Sequence, residues 1–371
     1  MFQLLSPTKI VNPQAGWYRG DFHVHSNFSD GFLPPAMLVE TAKSEGIDFF
    51  ALTDHNIIDG LWELMPDSDI LIIPGLEVTL KIGHFNVLGI RGWHDWMEDI
   101  CVYPYDDDLA WGKDRPPIKE IFVRASRQGL INCIVHPLRE SWKWLDDQTD
   151  LNYVHCIEVC NCPGFHESDL GTPKAIRLWT ELLNVGYRTT ALGGSDYHRT
   201  VPSPTYTGSH TRESIGWPTT YVYAEELSSN AILSAVMRRR VYVSLDPKVS
   251  FQAEVNGKVY DIGQDIGLFE GEINFSSTTS ECPEGSCAQI VRNGEVVAER
   301  SVTDGEARLL YSDTTKLSQS NWYRLDVYDS NGAMLAITNP IFIGRRIHPQ
   351  IQTYGEVLKL ALPGIEMSSS Q

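Results

Sequence analysis

Over roughly the first 245 residues, apolar and polar positions switch between two periods. Helix-like stretches at 34–44, 117–127, 173–185 and 229–238 are each followed by a short apolar run of β type. The third is the clearest. Ala175, Ile176, Trp179, Leu182 and Leu183 fall on one stripe, with Thr172 as N-cap, Pro173 at the first helical position and Gly186 as the stop. Gly46 and Gly129 close the first two helices in the same way. Repeated strand-helix-strand order predicts an α/β fold with a parallel sheet of about six or seven strands. From about residue 250 the texture changes to short alternating runs with Asn-Gly pairs at 256–257, 293–294 and 331–332, the sign of tight hairpins. The pattern predicts a C-terminal antiparallel β-sandwich of roughly 100 residues. The expected division is 1–248 and 249–371, with the second part covering the first or making a contact between copies in a homo-oligomer.

The polar residues that interrupt this pattern carry the chemistry. In WYRGDFHVHSNFSDG, His23 and His25 stand two apart on a strand-like run, so both imidazoles leave one face and can reach one point. An apolar run ending in histidine or carboxylate recurs at His55, Glu77, His136, Asp196 and His198, while His84 opens such a run and Asp30 follows the first pair. Any one of these could be a satisfied core histidine or a capping carboxylate, but the repetition argues for a shared site. Imidazoles mixed with carboxylates and no cysteine suit Zn, Mn or Fe, and nine donors are too many for one ion, so two or three divalent metal ions are implied. Ligands delivered by the ends of five or six strands fit a closed or distorted β/α barrel better than an open doubly wound sheet.

Composition narrows the reading further. A chain of 371 residues with 42% hydrophobic and 21% charged residues is expected to be globular with two domains. MFQLLSPTKIVNPQ lacks a basic segment followed by an apolar one, and no run of about 18 apolar residues occurs, so a cytoplasmic protein with no membrane partner is expected. Seven irregularly spaced cysteines fit reduced thiols, although Cys282 and Cys287 could close a small loop. A net charge of -18 repels polyanions, which argues against long nucleic acid as a partner and leaves a small ester as substrate. Arg139 and Arg199 are placed to meet an anionic substrate, with a surface salt bridge as the alternative for each. His94, His155, His166 and His210 lack the strand-end setting and are read as ordinary residues, the last two as loop contacts. DDDLAWGKDR reads as a solvated loop, and Trp111 and Trp217 as pocket lining or core.

The order DFHVHSNFSDG, ALTDHN, PGLEVTL with GHFNVLG, VHP and GGSDYH resembles the polymerase-and-histidinol-phosphatase (PHP) family of metal-dependent phosphoesterases. IEVCN, RLWTELLNVGYRTTALGGSDYH, GWPTTYVYA and VYVSLDP are similar to its carbaryl-hydrolase-like branch, and the tail resembles the β domain of such members. The likeness implies a distorted seven-stranded β/α barrel with its metals at the C-terminal face. It also implies hydrolysis of a small phosphate ester by a hydroxide that the metals generate. Carboxylic or carbamate ester cleavage at the same centre is the first alternative, and an inactive metal-containing binding protein is the second. Carried over by residue, His23, His25, Glu77 and Asp196 would hold one metal, with Glu77 bridging to a second held by His84 and His136. Asp30, His55 and His198 would hold a third. Glu77, Asp196, His198 and Arg139 would then be the catalytic groups. Asp54 is expected to orient a ring nitrogen, Glu158 to do a similar job, and Cys160 stands where many relatives have an aromatic residue.

Overall fold

The computed structural model describes residues 9–64, 69–101, 117–163, 166–198 and 214–364, without the side chains of residues 166–169. In order come β1 (Gly16–Val24), α1 (Pro35–Ser44), β2 (Phe49–Leu52), β3 (Leu71–Leu80), β4 (Gly83–Leu88), α2 (Asp95–Ile100) and α3 (Ile118–Arg127). They are followed by β5 (Ile131–Ile134), β6 (Cys156–Asn161), α4 (His166–Asn184), β7 (Thr190–Gly194), β8 (Thr219–Ala224), α5 (Ser229–Met237) and β9 (Val241–Ser244). Pro34 and Pro117 stand at the N-caps of α1 and α3, where a missing N–H costs nothing. α4 starts at His166 rather than Pro173, so Pro173 and Thr172 lie inside it. The predicted stripe holds: Ala175, Ile176, Trp179, Leu182 and Leu183 are all buried, and the Trp179 indole donates to the Thr189 carbonyl at 2.9 Å, fixing α4 beside β7.

The sheet is mixed, not parallel throughout. β1–β2, β2–β3, β5–β6 and β6–β7 pair parallel, but β4 runs antiparallel between β3 and β5, and β8 is antiparallel to both β1 and β9. The cause at β4 is local. Leu80 pairs with Gly83, whose φ of 108° suits glycine, so the chain turns straight back without a crossover helix. Closure of a barrel is not shown, since the strand order is an open path. The end of β7 nevertheless reaches β1 through a bridge between Val24 and Tyr197 and a bond from His25 N to the Tyr197 carbonyl at 3.0 Å.

The C-terminal strands are β10 (Lys248–Val255), β11 (Lys258–Asp261), β12 (Gly271–Ser280), β13 (Cys287–Arg292), β14 (Glu295–Ser301), β15 (Ala307–Thr315), β16 (Ser320–Tyr328), β17 (Met334–Thr338) and β18 (Ile341–Gly344), with α6 (Tyr354–Ala361) last. β10, β11, β12 and β15 form a separate sheet, whereas β13, β14, β16 and β17 extend the long sheet through pairing of β17 with β9. Phe251, Ile273 and Phe275 from the first share a core with Ile290, Leu325 and Val327 from the second. Asn256-Gly257 and Asn293-Gly294 both take positive φ, as tight hairpins require. At the third pair only Gly332 does, and Asp329 Oδ1 accepts from the N–H groups of Asn331 and Ala333 instead. Asn339 ties the two halves together. Its side chain is fully buried, accepts from Ala191 N at 2.9 Å and donates to the carbonyls of Ala191 and Val241, each at 3.0 Å. None of the seven cysteines is in a disulfide. Among the described residues, no helix is long and apolar enough to cross a membrane.

Candidate metal centre

The strand ends deliver one buried carboxylate into a ring of imidazoles. Glu77 on β3 is fully buried. Its Oε2 lies 3.1 Å from His23 Nε2, 3.2 Å from His25 Nε2 and 3.0 Å from His55 Nδ1, while Oε1 lies 2.9 Å from His84 Nδ1 and 3.1 Å from His136 Nε2. The hairpin back into β4 puts His84 opposite Thr79, which is why a residue seven along the chain returns to the same point. Asp196 follows β7 and His136 follows β5, both with left-handed backbone, at φ 53° and 31°. That conformation is costly for residues with a Cβ, and here it occurs where the chain leaves a strand and must aim a polar side chain at the centre.

Three groupings emerge with their donor atoms within 4.8 Å of one another: His23, His25, Glu77 and Asp196; His25, Asp30, His55 and His198; and His55, Glu77 and His84. His25 and His55 thus each belong to two groupings. His136 joins through Glu77, and its ring centroid stands 5.0 Å from that of His84. Asp30 reaches His198 Nε2 at 3.1 Å and His55 Nε2 at 3.5 Å, and with a side chain 59% exposed it marks the open edge of an otherwise buried cluster.

The donors fit divalent cations. His23 Nε2, both ring nitrogens of His25, Glu77 Oε2 and His136 Nδ1 are buried with no hydrogen-bond partner. Leaving such atoms unsatisfied costs about 1–3 kcal/mol each, so so many in one place call for another kind of partner. Two donors each about 2.1 Å from a shared ion and at right angles to it stand about 3 Å apart, the spacing seen around Glu77.

Charge follows burial and neighbours. Burial would raise Glu77 and Asp196, but the surrounding imidazoles, His55 and His23 foremost, hold both carboxyls well below their usual range. Burial opposes a charge on His23, yet Glu77, Asp196 and Glu158 raise it well above its ordinary value. His198 is raised to about 9 by Asp30 and Asp196 against the same burial penalty. Burial pushes His136 down to about 4, leaving a neutral imidazole at neutral pH.

An outer layer fixes these groups. Glu158 Oε1 lies 3.2 Å from His23 Nδ1, while its Oε2 accepts from His136 N at 2.8 Å and Asn161 Nδ2 at 2.9 Å. Asp54 does a different job from the one expected. It accepts from Ser26 N and Ser26 Oγ, both at 2.6 Å, and from Ser29 Oγ at 2.8 Å, so it shapes the loop leading to Asp30 rather than orienting a ring. His55 Nδ1 instead meets Thr79 Oγ1 at 2.5 Å. Arg139 Nη1 donates to Asp196 Oδ2 at 3.1 Å and Asn161 Oδ1 at 3.3 Å, with the guanidinium over Trp142. Asp21 was not singled out by its sequence setting. Fully buried, it accepts from the N–H groups of His23, Ser195 and Gly216 and from the Ser195 hydroxyl, joining β1 to the Asp196 loop. An acidic residue inside the apolar strand YRGDFHV is the signal that could have found it.

The remaining candidates lie apart. His94 precedes α2 and stacks beside Trp96, and His155 Nδ1 accepts from Asn132 N at 3.0 Å. The Trp217 indole donates to the Leu245 carbonyl at 2.9 Å. Cys160 is buried in β6. Arg199, His210, Trp111, the loop from Asp106 to Arg115 and the side chain of His166 lie outside the described residues.

Residues 21–157 match the PHP domain family, a window that holds His23, His25, Asp30, His55, Glu77, His84 and His136. A 5'-3' exoribonuclease of Haemophilus influenzae is 39% identical over 62 residues, covering 16% of this chain and 23% of that protein. A 3',5'-nucleoside bisphosphate phosphatase of Chromobacterium violaceum is 26% identical over 168 residues, covering 42% of this chain and 52% of that protein. The chain therefore spans about half or less of these curated relatives. Among solved structures, a two-domain protein of Bacteroides vulgatus, described as containing a predicted PHP-like metal-dependent phosphoesterase, is similar with a TM-score of 0.47 and 21% identity, covering 90% of this chain and 98% of that one.

Proposed function

We propose that this chain is a metal-dependent phosphoesterase acting on a small phosphate ester through two or three divalent ions of Zn, Mn or Fe. The observation that carries the reading is Glu77, fully buried, with five imidazole nitrogens within 3.2 Å of its two oxygens. His23, His25, Glu77 and Asp196 would hold one ion, Glu77, His84 and His136 a second, and Asp30, His55 and His198 a third. Bound there, such ions supply Lewis acidity and an activated water near neutral pH.

The protein's own part is to position and to balance charge. Glu77 splits its oxygens between two sets of imidazoles, so one negative charge lies between two cation positions. Glu158 on His23 Nδ1 and the Asp196 backbone carbonyl, 2.7 Å from His198 Nδ1, aim the other ring nitrogens. Arg139 holds Asp196 from behind. Substrate would enter at Asp30, the exposed side of the cluster, where an ion held by Asp30, His55 and His198 would offset charge on a departing oxygen. Our reading extends to a distorted barrel at 1–248, a β-sandwich at 249–371, the carbaryl-hydrolase-like branch and a cytoplasmic setting.

Elemental analysis of the purified protein, with a panel of chromogenic phosphate and carboxylate esters, tests the proposal. Bound divalent metal and turnover of phosphate esters are expected, both lost on chelation and restored by metal. Metal with turnover of carboxylate esters alone would overturn the substrate class, and full activity without metal would overturn the mechanism.

A further inference from the structure

A second cluster of charge lies at the other end of β7 from the metal centre, and it is cationic. Arg188 precedes β7, Arg239 turns the chain from α5 into β9, and Arg345 and Arg346 follow β18. The guanidinium carbons of Arg188 and Arg239 stand 4.5 and 5.5 Å from the centroid of a single Phe342 ring. Arg239 Nη1 donates to the backbone carbonyls of Met237 at 3.1 Å and Arg188 at 3.5 Å, which holds its side chain beside the start of β7. Arg188 and Arg345 both line a cavity of about 30 Å³ with Tyr187, Ser320 and Asn321. The strand from Arg188 to Asp196 spans roughly 25 Å at about 3.3 Å per residue, so this place is separate from the ester site.

The grouping is costly as it stands. Asp265 answers Arg188 at 2.5 Å. Arg239 has a buried Nε with no hydrogen-bond partner and a left-handed backbone at φ 62°. Burial first, then Arg188 and Arg346, bring its ionisation down to about 10, with Asp265 offsetting only part. A chain with 48 acidic against 30 basic residues has no shortage of carboxylates to place beside these side chains. Arginine forks match the oxygens of a tetrahedral oxyanion in pairs, and a low-dielectric seam strengthens that match.

We propose that Arg188, Arg239, Arg345 and Arg346 form a binding site for a phosphate-class oxyanion, distinct from the metal centre. The anion would sit over the Phe342 seam, neutralise the facing guanidiniums and join the end of α5 to the segment after β18. Either free phosphate or the phosphoryl group of a small organic molecule has the required chemistry.

Calorimetric titration of the metal-loaded full chain tests this in two arms, with inorganic phosphate and with phenylphosphonate, an organic phosphoryl group with no ester to cleave. The double variant Arg345→Glu/Arg346→Glu changes two exposed residues, so folding is expected to be kept and is checked by circular dichroism. We expect it to weaken one binding component at least 10-fold in one or both arms while ester hydrolysis stays at the parent rate. The arm with the tighter parent component identifies the source of the anion. The control Lys258→Glu/Arg308→Glu makes the same change in net charge elsewhere and should leave the isotherms unchanged. Isotherms that are identical in parent and arginine variant, absence of binding in both arms, or equal weakening by the control would overturn the site. None of these outcomes depends on whether the chain hydrolyses phosphate esters.

Discussion

Arg139 Nη1 lies 3.1 Å from Oδ2 of Asp196, which leaves Oδ1 facing His23 Nε2 at 3.3 Å and His25 Nε2 at 3.2 Å. The arginine therefore decides which oxygen of the carboxylate is offered to the centre. Arg139→Ala is expected to lower metal affinity about 10- to 100-fold, the usual effect of losing a partner behind a ligand. Metal retained after dialysis against a weak chelator is the readout. A variant that keeps full metal content and shows only a raised KM would make Arg139 a substrate contact instead.

Glu77→Gln keeps the shape of the side chain and removes the charge between the two sets of imidazoles. Cations held there would repel one another without compensation, so occupancy and hydrolysis should both fall, the rate by about 10²-fold or more. His94→Ala alters a residue beside Trp96 at the start of α2 and should be nearly silent. Near-native metal content and rate in Glu77→Gln would rule out a bridging role.

The donors were legible because the strand period exposes them. A histidine or carboxylate ending an apolar run, as at His55, Glu77 and His136, breaks a local pattern that anyone can count along the chain. What was not legible depends on partners far away in sequence. Asn339 meets Ala191 across 148 residues, and Asp21 meets Ser195 across 174, and no local spacing announces either. The reversal at Leu80 and Gly83 was hidden for a different reason: the run that His84 opens shows its strand character but not its direction, so an antiparallel β4 was not foreseen in a sheet expected to be parallel. Asp54 was misplaced because adjacency to His55 suggested contact, whereas its partners are the hydroxyls of Ser26 and Ser29.

Asp21 gathers three backbone N–H groups and a hydroxyl around one fully buried carboxylate. Asp21→Asn puts an NH₂ where one oxygen had accepted, so at least one buried donor is left facing another. We expect a loss of about 2–4 kcal/mol in unfolding free energy by denaturant titration, given the cost of unsatisfied buried groups. Activity measured well below the new melting temperature should fall as well, because Ser195 precedes Asp196. A variant as stable as the parent would mean that Asp21 does not hold β1 to that loop.

Metal uptake should release protons. A ligand nitrogen must lose its proton before it can coordinate, so imidazoles that are charged in the metal-free chain compete with the metal. His198 is raised to about 9 by Asp30 and Asp196 despite burial, and His23 is raised by Glu77, Asp196 and Glu158 against the same penalty. His198 therefore carries a proton at pH 7, and the rise at His23 acts in the same direction, whereas His136, pushed down to about 4 by burial, has none to lose. The sign follows directly: a raised value keeps the proton on below it, so apparent metal affinity falls as the pH drops and climbs as pH rises toward about 9. Titrating Zn²⁺ at pH 7 in buffers of different ionisation enthalpy measures the release, and about one proton is expected from His198. His198→Ala should reduce the count by about one while His136→Ala leaves it unchanged. Heats that are the same in every buffer would show that these imidazoles are already neutral before the metal arrives.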